Sequence, residues 1–269
     1  MSFDLRNFLI GFVLLSALFL IIERLFGNRR GKPLMRKGWW LDASYYLFTP
    51  LVTKTITRLS LLLPLGLMVW LGVTSVSDLQ TKVYAGFGPL SRQPVWLQAV
   101  ELLILGDLIA YWTHRLFHGR RWWPFHAVHH SSEDLDWMSS IRVHPVNDLV
   151  TKFAQVFPLL LLGFNPFAAA GVTAFFTVYA IFLHADVDWD FGPLRHVIAT
   201  PVFHRWHHSK DAAAMDKNFA GLLPLWDILF GTLYMPRDRK PENFGIHGPM
   251  PGHLPGQLVK PFADCLRGK

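Results

Sequence analysis

The chain has 269 residues, about the upper size of one domain, and 51 % of them are apolar, with 22 Phe and 11 Trp, a balance that leans towards the membrane class. A single cysteine, Cys265, excludes an intrachain disulfide, a Cys-ligated zinc site and an iron–sulfur cluster within the chain. The formal charge of +7 comes with no nucleic-acid recognition motif, and much of it flanks apolar runs, as in Arg29, Arg30, Lys32, Arg36 and Lys37, so it reads as the positive bias of cytoplasmic loops and nucleic acid is set aside as a partner.

The first predicted element is the apolar run Phe8 to Ile22. Asp4 and Arg6 make a weak positive end, and the run closes on Glu23-Arg24-Leu25-Phe26 without a small-residue cleavage site. It reads as a retained helix whose end charges snorkel to the interface. A second stretch, about Leu41 to Val76, is interrupted by Pro50, Lys54, Arg58 and Pro64 and predicts one span plus an interfacial portion. A third runs from Val95 to about Trp112. The last two, Leu149 to Leu162 and Phe167 to Leu183, flank a Gly-Phe-Asn-Pro turn at 163–166 and predict a helical hairpin. Each of its arms is short for a full span of about 20 residues.

The expected fold is all-α: an integral membrane helical bundle of about four membrane stretches, hairpin included, under a cytosolic histidine-rich helical cap. We expect a single domain over 1–269 with its motif-bearing core at about 95–236. Charge orients it: the basic loop 27–38 is placed in the cytoplasm, the second and third stretches go out and back, and the hairpin leaves and re-enters on that side. All thirteen histidines then map to the cytoplasmic face, with 115–148 and 185–269 forming the cap. Trp39-Trp40 and Trp122-Trp123 fit interfacial anchors. Arg120 and Arg121 could attract anionic lipid or an acidic electron donor, and positive-inside bias explains them nearly as well.

The chemistry lies in the histidines. His114 and His118 are four apart, and such side chains share a helix face about 5–6 Å apart. His126/His129/His130 and His204/His207/His208 repeat one pattern, His-x-x-His-His, 78 positions apart (126 to 204). His184 stands alone, with Asp188 four residues later. A lone histidine is usually a surface or hydrogen-bonded residue. Burying this whole set near lipid without partners costs on the order of several kcal/mol, so the set reads as a metal site. Imidazole suits zinc, copper, iron and nickel. A structural zinc needs four ligands. The nine candidates His114, His118, His126, His129, His130, His184, His204, His207 and His208 are too many for one ion and about right for two, each with an open position. Nitrogen-rich ligation with vacant positions fits dioxygen activation. Asp107, Tyr111, His114 and His118 line one helix face, so Asp107 could accept the imidazole N–H that faces away from metal; capping, or pairing with Arg115 or Arg142, is the alternative. Asp227 has similar standing, whereas Trp226, Phe230 and Gly231 are expected to pack and turn the cap. A membrane metal transporter or sensor is the rival reading, although transport sites sit near the bilayer midplane. Dinuclear zinc hydrolysis, the third option, would recruit more carboxylates than are placed here.

Taken jointly, "DLIAYWTHRLFH", "FHAVHHSS", "RVHP", "TPVFHRWHHS" and "LWDILFGTLY" resemble the fatty acid hydroxylase / sterol desaturase superfamily of membrane di-iron oxygenases. The likeness runs in order from about Asp107 to Pro236, and more loosely to Pro261. It implies a cap holding two iron ions (zinc as a possible substitute in purified protein) and O2 as co-substrate. It also implies hydroxylation or desaturation of a lipid or sterol-like molecule. Two electrons would come from an external donor, a ferredoxin or a cytochrome b5-like protein with its reductase. By resemblance His114 and His118 form the first histidine box, His126, His129 and His130 the second, and His204, His207 and His208 the third, with His184 the extra histidine before it. Asp188 stands where some members carry another histidine, and is expected either to ligate or to hold a ligand histidine from behind. Asn218-Phe219-Ala220 departs from the commoner Asn-Phe-Gly, which affects the local turn. His144 is expected to support the site or the fold, and His196, His247 and His253 to be ordinary. No catalytic residue separate from the metal ligands is expected.

Overall fold

The computed structural model describes residues 5–28, 33, 35–79, 86 and 88–267. The orientation drawn from Arg29, Arg30 and Lys32, and the breaks assigned to the side chains of Lys54 and Arg58, lie outside the described residues. Nine α-helices and no β-strand are found among the described residues. They are α1 (Leu5–Phe26), α2 (Trp39–Trp70), α3 (Val95–Phe117), α4 (Trp123–His130), α5 (Pro145–Leu161), α6 (Pro166–His184), α7 (Pro201–His207), α8 (Leu225–Leu229) and α9 (Leu254–Leu266).

Several helix starts are written in the sequence by a capping side chain followed by proline, whose missing N–H costs nothing in the first turn. Asn165 Oδ1 accepts the Phe167 N–H at 2.8 Å ahead of Pro166. Thr200 Oγ1 accepts the Phe203 N–H at 3.1 Å ahead of Pro201. His144 Nδ1 accepts the Val146 N–H at 3.1 Å ahead of Pro145.

Among the described residues three helices are long and apolar enough to cross a membrane: α1 from Arg6, α3 and α6. Their outward faces are apolar, with Leu9, Val13, Leu14 and Ile21 of α1 exposed, as lipid contact requires and water would penalise. This is the surface of a membrane protein. The second stretch differs from expectation. It is one 32-residue helix through Pro50 and Pro64, and among the described residues its Leu59–Trp70 portion is an apolar run too short for a span. The hairpin differs too. Its turn is present at Gly163–Pro166, but α5 packs mainly on α2 and α3, and α6 on α3, the 3-10 turn Trp137–Ile141 and α7, rather than on each other.

Two apolar clusters set the histidine-bearing helices against one another. Phe19, Tyr46, Trp137, Met138 and Ile181 join α1, α2 and α6 through the 3-10 turn Trp137–Ile141. Tyr111, Leu183, Phe203 and Phe219 join α3, α6, α7 and the loop before α8. The end of α1 lies tight against the chain after α6. A side chain at Gly27 would put its Cβ 2.6 Å from the Asp186 carbonyl oxygen, so only glycine fits.

Candidate metal centre

His114 and the capping residue His118 lie at the C-terminal end of α3, and α4 follows after a short turn with His126, His129 and His130. His184 is the last residue of α6; α7 carries His204 and His207, with His208 as its cap. These nine side chains gather into two groups. His114, His118, His126, His130 and His207 form the first, and His129, His184, His204 and His208 the second. Within each group the candidate ligand atoms lie within 4.8 Å of one another.

Helix geometry explains the repeated triplet. In His-x-x-His-His the first and last residues are i and i+4 on one face, and the middle one, adjacent to the last, is turned about 100° from it around the helix. The triplet on α4 therefore sends His126 and His130 to the first group and His129 to the second. The triplet at α7 does the reverse, sending His204 and His208 to the second group and His207 to the first. Each triplet serves both groups.

Hydrogen-bond accounting tests whether a metal fits. His114 Nδ1 donates to the Phe219 carbonyl at 2.8 Å, and His126 Nδ1 donates to Asn147 Oδ1 at 2.7 Å. Their Nε2 atoms are then both unprotonated, yet they lie 3.0 Å apart. In the second group His129 Nδ1 donates to the Arg142 carbonyl at 3.2 Å and His184 Nδ1 to the Ala180 carbonyl at 2.7 Å. Their Nε2 atoms lie 3.2 Å apart. His207 Nδ1 donates to the Lys217 carbonyl at 2.8 Å, and its buried Nε2 has no hydrogen-bond partner among the described residues; neither does that of His118. Lone pairs facing one another across about 3 Å repel unless a cation lies between them, and neutral imidazoles presenting Nε2 are what such a cation takes. Burial first, and neighbouring imidazoles second, hold His126, His129, His130, His204, His207 and His208 well below the usual histidine range. This buried histidine cluster is compatible with a metal centre.

The supporting groups act from further away than the spacing predicts. Asp107, fully buried, touches no imidazole. Its carboxylate accepts the N–H groups of Gly221, Leu222 and Leu223 at 3.1, 2.8 and 2.8 Å, and Trp226 Nε1 at 3.0 Å. Asp227 accepts the N–H groups of Phe219 and Ala220 at 2.8 and 2.9 Å, and the Thr232 hydroxyl at 2.6 Å. Both thereby fix the loop whose Phe219 carbonyl holds His114. Asn218 adopts a left-handed conformation (φ 58°) and ties that loop to α7 by donating to the Phe203 and Tyr234 carbonyls at 2.9 and 2.8 Å. His144 is outside both groups: it caps α5 and its Nε2 faces the Leu258 carbonyl at 3.1 Å.

Asp188 is corrected. The helix carrying His184 ends at that residue, so the four-residue spacing does not keep Asp188 on the same face. Its Oδ1 accepts from Asn28 at 2.9 Å and its Oδ2 from Lys240 at 2.5 Å, and it joins neither group. Two contacts were missed from sequence. Asn147 holds His126, and Asp216 accepts from His118 Nδ1 at 3.0 Å. Asn147 stands three residues after His144, in a stretch whose motif marked only the histidine. The backbone acceptors at Phe219, Arg142, Lys217 and Ala180 carry no residue signal at all. Aromatic rings wall the first group, with Phe219 and Trp123 centred 4.9 and 5.2 Å from the His118 ring.

Comparison with known proteins agrees with this geometry. The family model described as fatty acid hydroxylase matches residues 99–232. Ornithine lipid hydroxylase OlsE of Rhizobium tropici is 31 % identical over 194 residues, covering 72 % of this chain and 58 % of that protein. Alkylglycerol monooxygenase of Homo sapiens is 37 % identical over 127 residues, 47 % of this chain and 28 % of that protein. Very-long-chain aldehyde decarbonylase GL1-5 of Oryza sativa subsp. indica is 27 % identical over 152 residues, 51 % of this chain and 23 % of that protein. The chain thus spans less than two thirds of the length of each of these relatives. No solved structure matches it.

Proposed function

Because the chain belongs to the fatty acid hydroxylase / sterol desaturase superfamily, we propose that it is an O2-dependent di-iron oxygenase acting on an unactivated C–H bond of a membrane lipid. Hydroxylation is the primary outcome, and removal of a second hydrogen would make it a desaturase. The observation that carries this reading is the pair of histidine groups whose unprotonated Nε2 atoms face one another at 3.0 and 3.2 Å. One iron would be held by His114, His118, His126, His130 and His207, the other by His129, His184, His204 and His208. Bound there, the two ions would supply dioxygen activation, with O2 as the oxidant for C–H cleavage.

The chain's own residues do the rest. Carbonyls of Phe219, Arg142, Ala180 and Lys217 take the Nδ1 protons of His114, His129, His184 and His207 and fix the tautomer and orientation of those four rings. Burial keeps the cap imidazoles neutral, and the Phe219 and Trp123 rings keep water from the first group. Apolar helices α1, α3 and α6 bring the site to the bilayer that holds the substrate. The names of the relatives point to lipids with polar heads, an ornithine lipid and alkylglycerol, as the class to test first. Two electrons would come from a separate protein, a ferredoxin or a cytochrome b5-like donor with its reductase, approaching from the cytoplasmic face.

The test is comparative lipid mass spectrometry of cells expressing the wild type or His207→Ala. A lipid gaining one oxygen or losing two hydrogens, seen only with the wild type, would identify substrate and reaction together. Identical lipid profiles would overturn the proposal.

A further inference from the structure

The two histidine groups rest on different scaffolds. The first is braced by the loop that Asp107 and Asp227 hold, together with Asn147 and Asp216. The second leads to a buried chain of charges that begins in the N-terminal third, outside the family match at 99–232. Asp42, fully buried on α2, sits between two guanidinium groups: Arg36 Nη2 donates to its Oδ2 at 2.6 Å and Arg142 Nε to its Oδ1 at 2.7 Å. Arg36 Nε also donates to Asp136 Oδ2 at 2.7 Å. Asp136 in turn caps the turn Trp137–Ile141, accepting the N–H groups of Met138 and Ser139 at 3.1 and 3.3 Å. That turn runs into Arg142, and the Arg142 carbonyl is the acceptor for His129 Nδ1.

A second strut comes from α1. Glu23 Oε1 accepts both the Trp137 N–H at 3.1 Å and the Asp186 N–H at 3.0 Å, joining the start of that turn to the segment just after His184. Asp186 pairs with Arg205 at 2.8 Å, on the helix that carries His204. Three of the four second-group histidines (His129, His184 and His204) are therefore reached by one network of buried charges, whose bidentate and shared contacts fix direction as well as distance.

We infer that Asp42 and Arg36, with Glu23, are positioning residues for the second metal site alone, an inference that rests on the two-metal reading above. In the first group His114, His118, His126 and His207 take their Nδ1 contacts from Phe219, Asp216, Asn147 and Lys217, outside this network, so the two sites fail separately.

The experiment is iron analysis of the full chain, purified in detergent and reconstituted with ferrous iron without oxygen. The wild type should keep two irons per chain, and Asp42→Asn and the shape-conserving Arg36→Met should each keep about one. Adding His118→Ala and His207→Ala to Arg36→Met should remove the remaining iron; adding His208→Ala should not. A general loosening of the fold would not discriminate between these additions, and the retained ion itself reports a folded chain. Glu23→Gln keeps an oxygen for both N–H groups and should keep both irons, whereas Glu23→Ala should keep about one. Two irons retained in both Asp42→Asn and Arg36→Met, or both lost together, overturns the inference. A wild type that never holds a second ion overturns the two-metal reading beneath it, a separate result in a separate sample.

Discussion

The carboxylate of Asp227 accepts the Phe219 N–H at 2.8 Å, and on the other side of the same residue the Phe219 carbonyl accepts His114 Nδ1, also at 2.8 Å. An aspartate that touches no histidine therefore helps set the orientation of one. Asp227→Ala would leave the buried N–H groups of Phe219 and Ala220 and the Thr232 hydroxyl short of their acceptor. At about 1–3 kcal/mol for each unsatisfied group, partly relieved by relaxation, the expected loss of stability is about 2–4 kcal/mol. Iron affinity of the first group should fall roughly 10-fold or more, as for removal of other supporting contacts to metal ligands. Denaturant titration and metal retention of the purified variant check both; an unchanged midpoint would show that the loop does not depend on this carboxylate.

Acid should destabilise the metal-free protein earlier than most. His126, His129, His130, His204, His207 and His208 are held well below the usual histidine range by burial, so the folded chain resists protonation there. Unfolded, each titrates near 6.5. Above that pH neither state takes the protons and stability is level with respect to these groups. Below it the unfolded chain binds more, and stability falls at up to about 1.4 kcal/mol per pH unit per group until the folded values are reached. Thermal melts of chelator-treated protein between pH 8 and 5 should therefore drop below about 6.5, and added metal should shift the drop to lower pH. A flat profile through this range would contradict neutral burial of the cluster.

Legibility in the sequence depends on which interactions side-chain identity encodes. The all-helical fold was legible because long apolar runs and Asn-Pro or Thr-Pro helix starts are local signals. Spacing singled out the nine histidines, and the structure brings all nine together. Their division into five and four was not foreseen. It was implicit in the triplet, since His126 and His130 are i and i+4 while His129 is turned about 100° from His130, yet it shows only once both helices are set face to face. The roles of Asp107 and Asp227 were misjudged in distance because their partners are backbone N–H groups of a distant loop, which carry no residue identity. Asp188 was misjudged because helical spacing was carried past His184, where the helix stops. Arg36 read as a charge of the basic loop and Arg142 as an alternative partner for Asp107, and only tertiary packing reveals that both pair with Asp42 in one buried network.

Replacing Asp188 separates the family-based expectation from the observed geometry. Its partners are Asn28 and the exposed Lys240, and surface pairs of this kind contribute at most about 1 kcal/mol. Asp188→Ala is expected to keep two irons per chain and to shift stability by less than about 1 kcal/mol. Loss of one iron from this variant, with the fold intact, would return Asp188 to the ligand set and overturn its placement.

The side of the membrane on which the proposed site lies can be tested with a group the chain already carries. Cys265 is the one cysteine in the sequence and is exposed. It stands on α9, which packs against α4, the helix bearing His126, His129 and His130, and its Sγ lies 3.7 Å from the Arg121 carbonyl oxygen just before that helix. A label on this thiol therefore reports the face on which the α4 triplet sits. With a cytoplasmic site, a membrane-impermeant maleimide should modify the chain in inside-out vesicles and leave it unmodified in intact cells until they are permeabilised, and Cys265→Ser should remove the signal. Modification in intact cells would put the triplet outside, away from cytoplasmic electron donors, and the charge-based orientation would fail with it.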